Sequence, residues 1–168
     1  TWNYSYNALG ELSSHTDAKG QTAYYYYDAL SRPYQKNEPS PVSGTVTNEW
    51  IWGNSATSKN IGRIQEARVS GGGMTYYREL SYYDAVSRPS QVDYYDGSSW
   101  FSYNFGYNSA GQLEALDYPV STSGYRHRVV NTYSGGQLKQ VRDGDSGPFY
   151  WTANAADARG NVNDETMA

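Results

Sequence analysis

The residues able to do chemistry are few and scattered. His15 and His127 are the only histidines in a chain of 168 residues that has no cysteine. His15-Thr16-Asp17 places an imidazole near a carboxylate, half of a hydrolytic triad if one of the many serines came within reach, but a chance pairing is the better reading. Asp28 and Asp84 are a conceivable catalytic carboxylate pair. Asp143-Gly144-Asp145-Ser146-Gly147 opens like a calcium loop, yet the twelfth position, which needs Glu, holds Asn154, so a hairpin turn is expected there. Arg126 and Arg128 share one face of an alternating strand and could meet an anion. The net charge of −4 and the dispersal of Lys and Arg argue instead for a solvated strand face and against nucleic-acid binding. HExxH, Walker and dinucleotide glycine motifs are absent. Without cysteine there are no disulfides, thiol nucleophiles or Cys-based zinc sites. The expectation is a protein without catalytic residues, metal or cofactor, and not an enzyme.

Asp28 and Asp84 have a better explanation in the elements that carry them. Each heads a copy of one phrase: an aromatic residue, then Asp, Asn or Ser, two variable residues, Gly or Ser, and a polar residue. Tyr6-Asn7-Ala8-Leu9-Gly10, Tyr27-Asp28-Ala29-Leu30-Ser31-Arg32, Tyr83-Asp84-Ala85-Val86-Ser87-Arg88 and Tyr107-Asn108-Ser109-Ala110-Gly111 fit it. Looser copies hold Gly62-Arg63, Tyr133 to Gly136, and Asp157 to Gly160, while Asp17 to Thr22 reads as an extra half-copy. The Gly/Ser markers stand at 10, 31, 62, 87, 111, 136 and 160, so the steps are 21, 31, 25, 24, 25 and 24 residues. A fixed period of this size marks a repeat architecture. The Pro/Ser/Gly stretch Asn37 to Gly44 reads as a loop insertion in the long step, and no linker splits the chain into domains.

The phrase has turn chemistry. An Asx oxygen can accept the backbone amide two residues on, and a glycine three residues on can take positive φ without a Cβ penalty. Arg32 and Arg88 are expected over neighbouring tyrosine rings or paired with turn carboxylates of the next repeat. Alternating segments flank the turns, as in Met74 to Tyr82 and Gln112 to Tyr118. Further turn signals fall between the phrases, at Ser70 to Gly73, Asp96 to Ser98 and Asp143 to Gly147. Seven copies with two strands each predict about 14 strands, more than open twisted sheets hold without curling or splitting. The fold class expected is all-β, a curved array of antiparallel β-hairpins.

Composition agrees. Hydrophobic residues are only 38% of the chain, and Tyr supplies 19 residues against 3 Phe and 5 Trp. Tyrosine covers apolar surface with its ring while its hydroxyl finds a partner, which suits thin, half-solvated sheets. Repeat arrays hold together by nearest-neighbour stacking rather than one central core.

The phrases YDALSRP at 27–33, YDAVSRP at 83–89, YNALGEL at 6–12, YNSAGQL at 107–113 and DARGNV at 157–162 resemble the tyrosine–aspartate (YD, or Rhs) repeats. These occur in bacterial Rhs toxins, in the B and C components of insecticidal Tc toxin complexes, and in teneurins. Ser31 and Ser87 stand where the pattern usually has Gly, and Pro33 and Pro89 where an apolar residue is common. The resemblance implies a segment of a spiral β-shell, in toxin members a secreted bacterial cocoon around a toxic C-terminal polypeptide. Its partners would be neighbouring repeats and that cargo. Toxin-type cores end in a self-cleaving segment with Asp-Pro dipeptides, absent here, so no autoproteolytic residue carries over.

The rival reading is an extracellular carbohydrate-binding or adhesion module that stacks glycan rings on Trp50, Trp52 and Trp100. No apolar run approaches the ~20 residues of a membrane helix, and TWNYSYNALG lacks signal-peptide character. The chain begins without Met and reads as an excised segment of a longer protein. Neither TWNYSYNALG nor NVNDETMA looks like a polar cap, so open sheet edges and self-association through them are expected.

Overall fold

A computed structural model describes residues 1–73 and 76–167. Met74 and Thr75, the start of one expected strand, and Ala168 lie outside the described residues. The described residues form an all-β array of antiparallel hairpins with no helix. It divides into two compact units, Thr1–Trp100 and Phe101–Ala168.

In the first unit, β1 (Asn3–Tyr6), β2 (Leu12–Thr16), β3 (Thr22–Tyr27), β4 (Pro33–Pro39), β5 (Thr45–Trp52), β6 (Ile64–Gly71), β7 (Tyr77–Tyr83) and β8 (Pro89–Tyr95) each pair antiparallel with the next. In the second, β9 (Trp100–Tyr107), β10 (Leu113–Val120), β11 (Arg126–Ser134), β12 (Gln137–Asp143), β13 (Phe149–Ala156) and β14 (Val162–Met167) do the same. The repeated phrases connect odd strands to even ones, and the mid-period signals connect even strands to odd ones.

Buried apolar residues are small. They are Ala23, Val46 and Val92 in the first unit and Ala115, Val130 and Ala153 in the second, and no large side chain among the described residues is fully buried. Tyr and Trp rings are instead half-buried or exposed, and some meet a ring on the neighbouring strand, as Tyr26 meets Tyr34 and Tyr103 meets Tyr118. A layer this thin gains little from dry burial, so ladder hydrogen bonds and cross-strand pairs must carry more of its stability.

One irregularity recurs. Tyr27 pairs with Pro33 and Tyr26 with Gln35, so Tyr34 bulges out of the ladder. Ser13, Gln65 and Ser90 bulge at the equivalent place in the first unit, and Glu114, Lys139 and Asn163 in the second. A bulge bends its strand and raises the local twist. The hairpin at Asp17 lacks it, since Thr16 pairs with Thr22 and His15 with Ala23.

The loop insertion is not where the Pro/Ser/Gly stretch suggested. Asn37, Glu38 and Pro39 lie in β4, opposite Thr47, Val46 and Thr45. The extra length of the 31-residue step sits between β5 and β6, where Gly53 to Arg63 replace the five residues, Asn7 to Glu11, that join β1 to β2. Proline misled because it tolerates an edge or an end of a strand, and Pro39 is the last residue of β4.

Candidate functional site: the repeated turn and its tether

Six turns share one geometry. The heads are Asn7, Asp17, Asp28, Asp84, Asn108 and Asp157, and the Oδ1 of each accepts the backbone amides of the residues two and four positions on, at 2.8–3.0 Å. The head amide donates to the carbonyl four positions on, and the amide three positions on donates back to the head carbonyl, at 2.9–3.1 Å. This is a type I turn closed by a residue of positive φ in a one-residue bulge, a common three-residue hairpin. The positive-φ residues are Gly10, Gly20, Ser31, Ser87, Gly111 and Gly160, with φ from 60° to 88°. Ser31 and Ser87 thus take the left-handed conformation that glycine takes in the other copies. Asp17 heads a whole turn of this type rather than half of one.

In five of the six, all but the Asp17 turn, the second oxygen or the nitrogen of the head meets the side chain four positions on. Arg32 Nε donates to Asp28 Oδ2, and Arg88 Nε to Asp84 Oδ2, both at 2.8 Å. Asn7 Nδ2 donates to Glu11, Asn108 Nδ2 to Gln112, and Asn161 Nδ2 to Asp157. The two arginines therefore pair with the heads of their own turns, because the turn folds residue four back over its head. Arg32 also covers a ring 4.9 Å away, that of Trp52 rather than a tyrosine. The Arg32 guanidinium and the turn amides hold the Asp28 carboxyl below the usual range. The Arg88 amide, then its side chain, does the same for Asp84.

Two loose copies are built differently. Asn60, buried, takes the Ser55 amide on its Oδ1 at 2.9 Å, and Gly53 closes the long loop by donating to the Arg63 carbonyl at 2.8 Å. Gly62, with φ 71°, donates to the Gly53 carbonyl. The copy before Gln137 is a two-residue Gly135-Gly136 hairpin, with φ of 59° and 83°.

The aromatic residue at the start of each phrase explains the period. Tyr27 Oη donates to the Leu12 carbonyl at 3.1 Å, Trp52 Nε1 to Pro33 at 2.9 Å, Tyr83 Oη to Ile64 at 2.6 Å, and Tyr133 Oη to Leu113 at 2.8 Å. Each acceptor pairs across its hairpin with the preceding copy's aromatic: Leu12 with Tyr6, Pro33 with Tyr27, Ile64 with Trp52, and Leu113 with Tyr107. These four rings thus tie their hairpins to the ones before. At the last copy the aromatic position holds Ala156.

The other candidates are also committed to the sheet. His15 Nδ1 and Tyr25 Oη lie 3.0 Å apart with Trp2 stacked at 5.6 Å, while Asp17 Oδ1 holds its own turn. His127 lies between Tyr118 and Tyr150, with Nδ1 3.4 Å from Asp143. Asp143 to Pro148 form a closed turn, with the Asp143 amide donating to the Pro148 carbonyl. Arg128 lies 3.5 Å from both Asp117 and Asp145. Of the three tryptophans considered for stacking, Trp50 and Trp52 are half-buried; Trp100 is 48% exposed and packs on Tyr95 at 5.2 Å.

Sequence reasoning missed an acid–base ladder across β5, β6 and β7. Glu49 accepts from Arg68 at 2.8 Å, and buried Glu66 accepts both Nε and Nη2 of Arg78 at 2.7 and 3.1 Å. The ladder borders a cavity of about 300 Å³ that Trp50 and Tyr95 also line. Arg68 lowers the Glu49 pKa. The alternation of Glu66 with Arg68 on one strand was the available signal, readable only once the register set Arg68 opposite Glu49 and Arg78.

No protein-family model and no curated protein matches the chain. Among solved structures, the crystal structure of TcdB2-TccC3-Cdc42 is similar over 89% of this chain and 9% of its own, at 14% identity and a TM-score of 0.50. That of TcdB2-TccC3-TEV covers 85% of this chain and 11% of its own at 10% identity, and its TM-score of 0.28 adds nothing to the argument. The first likeness is one of fold, a Tc/Rhs-like β architecture. The chain spans about a tenth of the solved chains it matches.

Proposed function

We propose that this chain is a wall segment of a secreted bacterial β-shell, a curved hairpin array that encloses or scaffolds a toxic polypeptide without turning anything over. The observation that carries the reading is the tether. The conspicuous side chains of the repeat, Tyr27, Asp28, Arg32, Tyr83, Asp84 and Arg88, are engaged within their own turn or with the hairpin before. Containment needs area and closure, not a convergent polar site, and the fold likeness to a chain of TcdB2-TccC3-Cdc42 fits such a role.

The test is protease protection of the natural gene product that carries this segment. A wall shields a polypeptide behind it, so the shielded part should resist cleavage under native conditions and become sensitive only when the array is unfolded first. Cleavage of every part of that product at equal rates under native conditions would overturn the reading. So would hydrolysis of a substrate panel that disappears, at unchanged melting temperature, when His15 is replaced. The rival glycan reading rests on exposed Trp100 beside Tyr95. A glycan array that gives binding abolished by Trp100→Ala would favour it.

A further inference from the structure

Arg128 and Arg142, inside the second unit, are cations without a fitted counter-charge. Both line a cavity of about 520 Å³ with Val130, and the Nε atoms of both are buried with no hydrogen-bond acceptor among the described residues. The Arg142 side chain makes no hydrogen bond or ion pair of any kind among those residues. Arg128 lies 3.5 Å from Asp117 and from Asp145, and its Nε bonds to neither. Glu114 and Asp145 border the cavity too, but both are exposed and keep their charge in water. A buried N–H of a charged group without an acceptor is costly, so two at one cavity call for an explanation.

The register supplies it. Strands β10 to β12 repeat the pairings of β6 to β8: Ala115 faces Val130 as Glu66 faces Leu80, Asp117 faces Arg128 as Arg68 faces Arg78, and Val130 faces Arg142 as Leu80 faces Asp93. In the first unit Glu66 accepts both Nε and Nη2 of Arg78. In the second, Arg128 stands where Arg78 stands, but Ala115 replaces its carboxylate and Arg142 replaces the other acid, Asp93. The cation is kept while the acceptor is removed.

We propose that Arg128 and Arg142 bind a carboxylate from outside the chain, carried on a short aliphatic stem that lies over Val130, in the role that Glu66 plays for Arg78. A guanidinium fork matches the two oxygens of a carboxylate, and the buried valine suits the stem. A singly charged anion fits better than phosphate, because Glu114 and Asp145 at the border repel a double charge more strongly. The site does not depend on the shell reading. Its ligand is either a free acid or a glutamate side chain of another polypeptide.

The test titrates the full chain with sodium propionate, the glutamate side chain cut free, at constant ionic strength, while NMR follows the arginine Nε–H resonances. Those of Arg128 and Arg142 should shift and saturate, with a Kd on the order of millimolar for so small a ligand. Propionamide, the neutral isostere, should move neither. Arg142→Gln removes a side chain that bonds nothing in the fold, so it should leave the melting temperature unchanged and weaken propionate about ten-fold. Ala115→Glu should supply the carboxylate from within and abolish the shifts. Glutamate blocked at both backbone ends separates the two sources: binding as tight as propionate assigns a polypeptide side chain, and binding of propionate alone assigns a free acid. Shifts that never saturate, that propionamide reproduces or that survive Arg142→Gln would each overturn the proposal, as would inorganic phosphate binding more tightly than propionate.

Discussion

The Tyr83 hydroxyl donates to the Ile64 carbonyl at 2.6 Å, tying the head of one turn phrase to the strand that leaves the turn before it. The same bond joins Tyr27 to Leu12 and Tyr133 to Leu113. Four of the recurring phrases, counting Trp52 bound to the Pro33 carbonyl, thus tie their hairpin to the one before it.

Ser31 and Ser87 hold φ of 60° and 65°, where a Cβ is strained. Ser31→Gly and Ser87→Gly should each stabilise the protein by up to ~1 kcal/mol, the lower strain being partly offset by the freer unfolded chain. Gly111→Ala, with φ 81° and nothing within 4 Å of the added methyl, should cost about 1 kcal/mol from backbone strain alone. Urea midpoints measure all three.

The pair at the turn head should be exchangeable as a unit. Asn108 and Gln112 make the bonds that Asp28 and Arg32 make, with an amide in place of each charge. Asp28→Asn with Arg32→Gln should melt close to wild type. Asp28→Ala, which strips the acceptor from the Leu30 and Arg32 amides, should lower the melting temperature by several degrees.

Acid should loosen the turns. Asp28, Asp84 and Asp157 have pKa values lowered, respectively, by the Arg32 side chain, the Arg88 amide and the Asn161 side chain, and Glu49 is lowered by Arg68. A carboxylate with a lowered folded pKa stabilises fully above its unfolded value, about 4, and that contribution fades as pH falls through the folded value. Melting temperature should be flat from neutrality to about pH 5 and fall below about pH 4. Asp28→Asn with Arg32→Gln should make the fall shallower.

The long loop hangs on one buried residue. A Cβ at Gly53 would lie 2.3 Å from Asn60 Cγ, so Gly53→Ala should displace Asn60, whose Oδ1 holds the Ser55 amide. Loss should exceed that of Gly111→Ala, by the ~1–3 kcal/mol that an unsatisfied buried amide costs. Hydrogen exchange at Ser55 should accelerate in that variant.

Local chemistry made the turns legible in the sequence. Asx at the head and Gly three residues on specify a hairpin without help from distant residues, and two such signals per period gave the strand count. What depends on register was not legible. The tether joins residues 15 to 20 positions apart in sequence, and the bulge that offsets each strand leaves no residue type of its own, being Ser13 in one copy, Tyr34 in another and Lys139 in a third. Arg32 could be assigned to a neighbour's carboxylate only because the sequence does not show how tightly the turn folds it onto Asp28. The Asn60 loop escaped because Gly62 keeps the marker of the phrase while Gly53, nine residues earlier, closes the hairpin.

The proposed role of the phrase is to fasten one repeat to the next rather than to bind or convert a ligand. The most direct measurement is urea unfolding of Tyr27→Phe, Tyr83→Phe, Tyr133→Phe and the triple variant, each of which removes only a hydroxyl at each site. Each single change should cost about 1 kcal/mol and the triple about 3, since the three sites share no partners. Far-ultraviolet circular dichroism at zero urea should stay unchanged. A triple variant as stable as wild type that has lost binding to a glycan or turnover of a substrate would contradict the account.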